Sequence, residues 1–251
     1  RRRSRAGHHG QPALKPGNGR HIMSEQLALG FGPRDEFNAE GFVASPSNAD
    51  ARAALKAWQG WPGHVMTLVG PAGTGKTHLA TIWRNAHGAT SIDARRIGVV
   101  LDDIEGGCPV LVENADRGVD EAGLFHLINR AGQDAIPGLL LTARRHPASW
   151  DIETPDLISR LAAMPVVELS EPDDALLRQV MVKLFRDRQS PVTPGLIDYL
   201  LPRMERSVDS ARRLVATLDL VALGRKTPVT RAVVRQVLQD MPDPDDDGMQ
   251  E

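Results

Sequence analysis

The chain has 251 residues, 41% of them hydrophobic and 25% charged. This is the profile of a globular protein rather than a disordered or fibrous one, and at this length roughly 70% of the unfolded surface can leave water without a disulfide or metal staple. The lone cysteine, Cys108, excludes an intrachain disulfide scaffold and a zinc ribbon and favours a reducing compartment, and no run approaches the roughly 18 apolar residues of a membrane span.

The formal net charge of -2 hides an uneven distribution. Residues 1–24 carry Arg1, Arg2, Arg3, Arg5, Lys15 and Arg20 and no acid, while residues 240–251 carry Asp240, Asp243, Asp245, Asp246, Asp247 and Glu251 and no base. The nearly balanced middle makes no bulk electrostatic case for nucleic acid. Residues 1–22, polar, rich in Gly and Pro and without apolar periodicity, read as a disordered basic extension. One reading takes Met23 as the natural start and the preceding residues as an upstream or vector-derived addition; another is a transit peptide, whose amphipathic helix the Gly and Pro would spoil. Without those residues the chain is acidic, with 24 bases against 32 acids.

The strongest chemical signal begins at His64-Val-Met-Thr-Leu-Val69, an apolar, β-branched run that reads as a buried strand. It leads into Gly70-Pro71-Ala72-Gly73-Thr74-Gly75-Lys76-Thr77, a GxxxxGKT loop, and then into His78-Leu-Ala-Thr-Ile-Trp83 with helical spacing. In that context the loop is a phosphate cradle. Gly70, Gly73 and Gly75 let backbone N–H groups close around phosphates, the helix N-terminus adds partial positive charge, Lys76 reaches the outer phosphate oxygens, and Thr77 can hold Mg²⁺.

Such a site needs an acid at a nearby strand end to hold the metal. Pro109-Val-Leu-Val-Glu113-Asn114-Ala-Asp116 supplies it: Glu113 ends the apolar run on what reads as a neighbouring strand, and Asn114 stands where a proton-accepting acid is common. An amide accepts no proton, so the expected site binds ATP or ADP with Mg²⁺ and hydrolyses slowly unless Asp116 or another group substitutes. The chain's standing as an enzyme in its own right is therefore open. A third run, Gly138-Leu-Leu-Leu-Thr142-Ala-Arg144-Arg145, also ends in polar residues, and strand ends of a doubly wound sheet face the ligand crevice. Thr142, Arg144 and Arg145 are candidates there for sensing a γ-phosphate, or else open a solvated loop before Pro147.

Pro155 to Leu161 reads as a short helix with Pro in its first turn. From Glu171 onward the chain reads as helical, over Asp173 to Arg188, Pro194 to Leu201, Asp209 to Leu223 and Thr230 to Leu238, an amphipathic set that suggests a small bundle. Arg212 and Arg213 occupy successive positions, so one can face the nucleotide and the other water.

Loop, strand-end acid, polar third strand, post-sheet arginine and helical bundle together resemble the AAA+ ATPases, and more narrowly the DnaA family of bacterial replication initiators, from about Glu36 to Leu238. Phe37-Asn-Ala-Glu-Gly-Phe42-Val43-Ala-Ser-Pro-Ser-Asn48 is similar to the segment that the family lays over adenine, with Val43 and Asn48 as base contacts. Thr142 to Pro147 resembles the sensor segment, although Arg144 stands where an Asp is common. The resemblance places an arginine finger at Arg160 and a nucleotide-sensing lid arginine at Arg212. It implies an α/β AAA+ P-loop fold with a parallel sheet over residues 36–169, an all-α lid over 170–239 and an acidic disordered tail over 240–251. No room is left for the family's helix-turn-helix DNA reader, so direct sequence-specific DNA binding is not expected.

Met23-Ser-Glu-Gln26-Leu27-Ala-Leu29-Gly-Phe31, within residues 23–35, looks like the peptide by which replication proteins dock on the sliding clamp. A flexible strand with a glutamine amide and apolar anchors at Leu27, Leu29 and Phe31 can fill a groove while ordering on binding. This arrangement is similar to the Hda-like subgroup. It implies a cytoplasmic bacterial protein that, on the DNA polymerase III sliding clamp, stimulates hydrolysis of DnaA-bound ATP through Arg160 and so restrains initiation. The subgroup is thought to be competent with ADP bound, and a homodimer is compatible with it. Two other readings remain: an autonomous loader or remodeller ATPase, and a DNA-binding accessory factor using the basic N-terminus and lid arginines.

Overall fold

The structure, a computed structural model, describes residues 41–240. The basic extension 1–22, the clamp peptide with Gln26, Leu27, Leu29 and Phe31, and the tail beyond Asp240 lie outside the described residues.

The apolar runs form strands β1 (Val65–Val69), β3 (Val110–Glu113) and β4 (Leu139–Ala143), joined by β2 (Thr90–Asp93) and β5 (Val166–Glu168). All pair in parallel, in the order β2-β3-β4-β1-β5. β1 and β4 are buried along their whole length, as expected of a parallel sheet covered on both faces. Successive side chains alternate between those faces. Met66, Leu68, Leu111 and Leu140 pack with Ala51 and Leu55 of α1 (Ala49–Lys56) and Leu79, Ala80 and Trp83 of α2 (Lys76–His87). Val65, Val69, Val110, Val112, Leu139 and Leu141 pack on the other face. Their partners there are Ile97 of α3 (Ile97–Val100), Leu124, Leu127 and Ile128 of α4 (Glu121–Gly132), and Leu157 and Leu161 of α5 (Pro155–Ala162).

One expectation about the sheet needs correction. Glu113 does not lie on a strand next to β1: β4 pairs with both β1 and β3 and separates them. Long crossover connections let strands distant in sequence sit side by side, so chain order does not report sheet order. Sequence reading also passed over α1, β2, α3, α4 and β5. In β2 only Ile92 is buried and β5 spans three residues, too short to show a period.

After the sheet, α6 (Asp174–Asp187), α7 (Pro194–Leu200), α8 (Val208–Arg225) and α9 (Arg231–Asp240) build a second core around Leu177, Met181, Phe185, Leu200, Val215, Leu218 and Val234. Their boundaries lie close to those read from the periodicity. The caps explain the starts: Asp173 Oδ1 accepts from the amide of Leu176 at 2.7 Å and Ser207 Oγ from that of Ser210 at 2.9 Å, each satisfying an orphan donor of the first turn. Pro194 opens α7, where its missing N–H costs nothing.

Candidate nucleotide-binding site

The loop Gly70–Thr77 joins β1 to α2, and its glycines are required for two different reasons. Gly73 and Gly75 have φ of 73° and 99°, in the left-handed region that other residues avoid. Gly70 instead faces a close approach, since a Cβ there would lie 2.3 Å from the carbonyl oxygen of Leu169. Steric room is also absent at Gly73, where a Cβ would meet that of Ser207 at 2.4 Å. The loop is anchored at its start by the amide of Gly70 donating to Ala143 at 3.2 Å. Within it, Thr74 donates to Pro71 at 3.0 Å.

Lys76 folds back on this loop, its ammonium donating to the carbonyls of Gly70 and Pro71, both at 2.6 Å. Its pKa is lowered to about 8, first by desolvation and then by the charge of Arg144, against opposing contributions from Asp116 and Asp209. A cation held by two carbonyls and short of water is a strong attractor for an oxyanion. Thr77 is exposed beside it.

Glu113, half-buried at the end of β3, has its pKa raised by desolvation; the charge of Arg84 opposes that shift and that of Asp93 adds to it. Among the described residues no cluster of three or more His, Cys, Asp and Glu forms a metal cage. Oxygen donors of the Thr77 and Glu113 kind fit Mg²⁺, which keeps several waters and takes few protein ligands. Asn114 has φ of 56°, and its backbone N–H donates to the hydroxyl of Thr142 at 3.1 Å. Thr142, itself buried on β4, thus ties the ends of β3 and β4 together.

Asp116 holds the loop after β4. Its Oδ2 accepts from the amides of Arg144 at 3.1 Å and Arg145 at 3.3 Å, and the Arg145 guanidinium donates to the Asp116 carbonyl at 3.3 Å. That side chain is 3% exposed and its Oδ1 has no hydrogen-bond partner. These bonds use Asp116 Oδ2 to position the loop that carries Arg144, whose charge reaches Lys76.

A cleft of about 430 Å³, counted with its open mouth, lies between the loop and the helical layer. It is lined by Phe42, Val43, Asn48, His78, Lys183 and Arg212, with Thr74 and Gly75 at its phosphate end. Asn48 closes the Val43 segment on itself, donating to the Val43 carbonyl at 2.9 Å and accepting from the Ser45 amide at 3.1 Å. Arg212 Nη2 lies 2.8 Å from Nδ1 of His78, whose ring meets Phe42 edge-on at 5.2 Å. Arg213 points to solvent, 3.6 Å from Glu205. His78 was missed in the sequence, where it only opened a run of helical spacing. Its spacing one residue after Thr77 is the available clue.

The helical layer is fastened to the loop itself: the amide of Val208, first residue of α8, donates to the Gly73 carbonyl at 2.8 Å. Arg160 stands apart from these groups. It is exposed on α5, and its guanidinium lies over the Phe125 ring at 4.8 Å from the centroid. Val43, Asn48, Gly70 to Thr77, Glu113, Asn114, Thr142 and Arg212 therefore gather on the loop, the cleft and the strand ends around them, and Arg160 does not join them.

No protein-family model matches the chain. Solved structures do resemble it. Domain III of the Thermotoga maritima replication initiation protein DnaA aligns with a TM-score of 0.71 at 18% identity, covering 84% of this chain and 98% of that one. AMPPCP-bound DnaA from Aquifex aeolicus gives 0.60 at 19% identity, covering 76% and 68%. The Thermotoga maritima RuvB Holliday junction branch migration motor gives 0.62 at 19% identity, covering 81% and 71%. At such identities the likeness is one of fold: a parallel-sheet AAA+ P-loop domain with a helical C-terminal region.

Proposed function

We propose that this chain is a DnaA-related, Hda-like regulator that binds ATP or ADP with Mg²⁺ and stimulates hydrolysis of ATP bound to DnaA, restraining replication initiation. The nucleotide's phosphates lie on the Gly70–Thr77 loop with Lys76 released from its carbonyls, the base enters the cleft beside Val43 and Asn48, and Arg212 reports its presence to the helical layer. Thr77 and Glu113 would hold the metal, which would supply charge neutralisation to the phosphates. Asn114 offers no proton acceptor, and Asp116 binds the Arg144 loop through Oδ2, an arrangement that favours keeping the bound nucleotide over turning it over. This weighs against an autonomous ATPase.

The observation that carries the trans role is the position of Arg160, exposed and held by Phe125, with none of the cleft residues as partner. In other systems an arginine entering a neighbour's phosphate site is worth about 10³ to 10⁵ in rate. Gln26, Leu27, Leu29 and Phe31 bring the protein to the DNA-loaded sliding clamp, and so to DNA. A cytoplasmic, replisome-associated protein follows, organised as an α/β domain over 36–169 and a lid over 170–239. The deciding experiment measures phosphate release from ATP-loaded DnaA with this protein and DNA-loaded clamp. Stimulation is expected only with both, and is lost in Arg160→Ala and Gln26→Ala; undiminished stimulation by those variants overturns the reading.

A further inference from the structure

Glu121 and Phe125 stand four residues apart on α4, hence on one face of it, and each meets one end of α5. The Glu121 carboxylate accepts from the amides of Glu153 at 2.8 Å through Oε1 and of Thr154 at 2.9 Å through Oε2, fixing the entry into the helix. Pro155 presets its first residue, and Leu157 and Leu161, 0% and 1% exposed, dock its inner face. At the far end Arg160 lies over Phe125. One short stretch of α4 therefore sets the position of α5 along its length and the side chain it presents.

The kind of restraint matters. A carboxylate beside Arg160 would occupy its N–H fork and cancel its charge. An aromatic face restrains the guanidinium through the ring quadrupole and leaves its charge and in-plane donors free for a phosphate. Among the described residues Arg160 has no carboxylate partner.

We propose that Glu121 and Phe125 are positioning residues for a trans-acting Arg160: Phe125 presents its guanidinium to a triphosphate bound by a partner NTPase, and Glu121 sets the helix that carries it. This rests on the trans role proposed above. The restraint limits the guanidinium's wandering before the encounter, so it acts on the chemical step and not on partner affinity.

The test uses the full chain with ATP-loaded DnaA and DNA-loaded clamp. Phe125→Leu keeps apolar volume without a ring, and is expected to lower maximal stimulation about two- to fivefold, the worth of an exposed cation–π contact, with the half-maximal concentration unchanged. Phe125→Tyr, which keeps the ring, is expected to restore it. In the isolated protein the ring-current shift of the Arg160 δ protons should vanish in Phe125→Leu and return in Phe125→Tyr. If Phe125→Leu proves unstable, Glu121→Gln, which keeps the side chain's size and one acceptor, is expected to give a loss of maximal stimulation of the same kind. Loss of stimulation in Arg160→Ala with wild-type stimulation in Phe125→Leu and Glu121→Gln overturns the positioning and leaves the trans role intact. Full stimulation by Arg160→Ala overturns both.

Discussion

Arg212 Nη2 lies 2.8 Å from Nδ1 of His78, so the longest helix of the helical layer and the helix behind the phosphate loop meet through a guanidinium and an imidazole. Because the loop leads directly into His78, a phosphate on Lys76 and Thr77 comes within the neighbourhood of Arg212 and competes for it. Arg212→Ala is expected to weaken ATP and ADP binding tenfold or more, the loss of a charged hydrogen bond of about 1.5–3 kcal/mol. Arg212→Lys should not restore it, since a compact ammonium lacks the fork that serves two acceptors. Calorimetric titration with each nucleotide measures both.

Lys76 makes nucleotide binding pH-dependent. Its folded pKa of about 8 lies below the ordinary lysine value of 10.5, so between those values the empty folded chain binds fewer protons than the unfolded one. Stability from this group therefore rises with pH across that window. Phosphate oxygens restore the ammonium. ATP binding at pH 8.5 is expected to take up roughly three-quarters of a proton, seen as different apparent enthalpies in buffers of different ionisation heat. Lys76→Ala should abolish the uptake along with most of the affinity.

Asn114 sits in the left-handed region, which Asp tolerates nearly as well as Asn. Asn114→Asp is thus expected to fold normally and to place a carboxylate where the native chain has an amide. The protein's own ATP hydrolysis should rise by about 10² or more, in line with general-base catalysis. Steady-state phosphate release without DnaA checks this; an unchanged rate would show that the amide is not what keeps hydrolysis slow.

Ser207 caps α8 and crowds the position a Cβ would take on Gly73. Ser207→Ala removes the cap, worth about 1 kcal/mol, and should lower the melting temperature by about 2–4 °C at this chain length. Since Val208 holds the Gly73 carbonyl, a frayed α8 loosens the loop as well. Nucleotide affinity is expected to fall with stability, whereas a cap substitution on α6, Asp173→Ala, should cost stability alone.

Glu121 has its pKa lowered by the Thr154 and Glu153 hydrogen bonds, with slight burial opposing. A depressed carboxylate contributes stability that is present above its ordinary pKa, near 4.5, and lost as pH falls through the lower folded value. Native-state hydrogen exchange at the Glu153 and Thr154 amides should accelerate, relative to the intrinsic rate, as pH drops below about 4.5. In Glu121→Gln the protection should be lower from the start and show no such step.

The phosphate loop, the strands that flank it and the helices after the sheet were legible because their signals are local. GxxxxGKT carries its own geometry, and apolar periods of a strand or helix repeat within one element. Thr142 and Glu113 were likewise found as the polar ends of apolar runs. α4 was not, although its stripe of Leu124, Leu127, Ile128 and Ala131 is regular, because nothing in its composition announced chemistry.

Residue identity therefore determined that this chain builds a phosphate cradle and an amide at Asn114. Tertiary structure alone decided that β4 lies between β1 and β3, that Asp116 Oδ2 holds the Arg144 loop, that His78 receives Arg212, and that Phe125 carries Arg160. Each of these pairs residues from different elements, separated by a crossover or a whole layer. Which ends of a parallel sheet become neighbours depends on packing both of its faces at once, a sum over the whole chain that no single stretch of sequence contains.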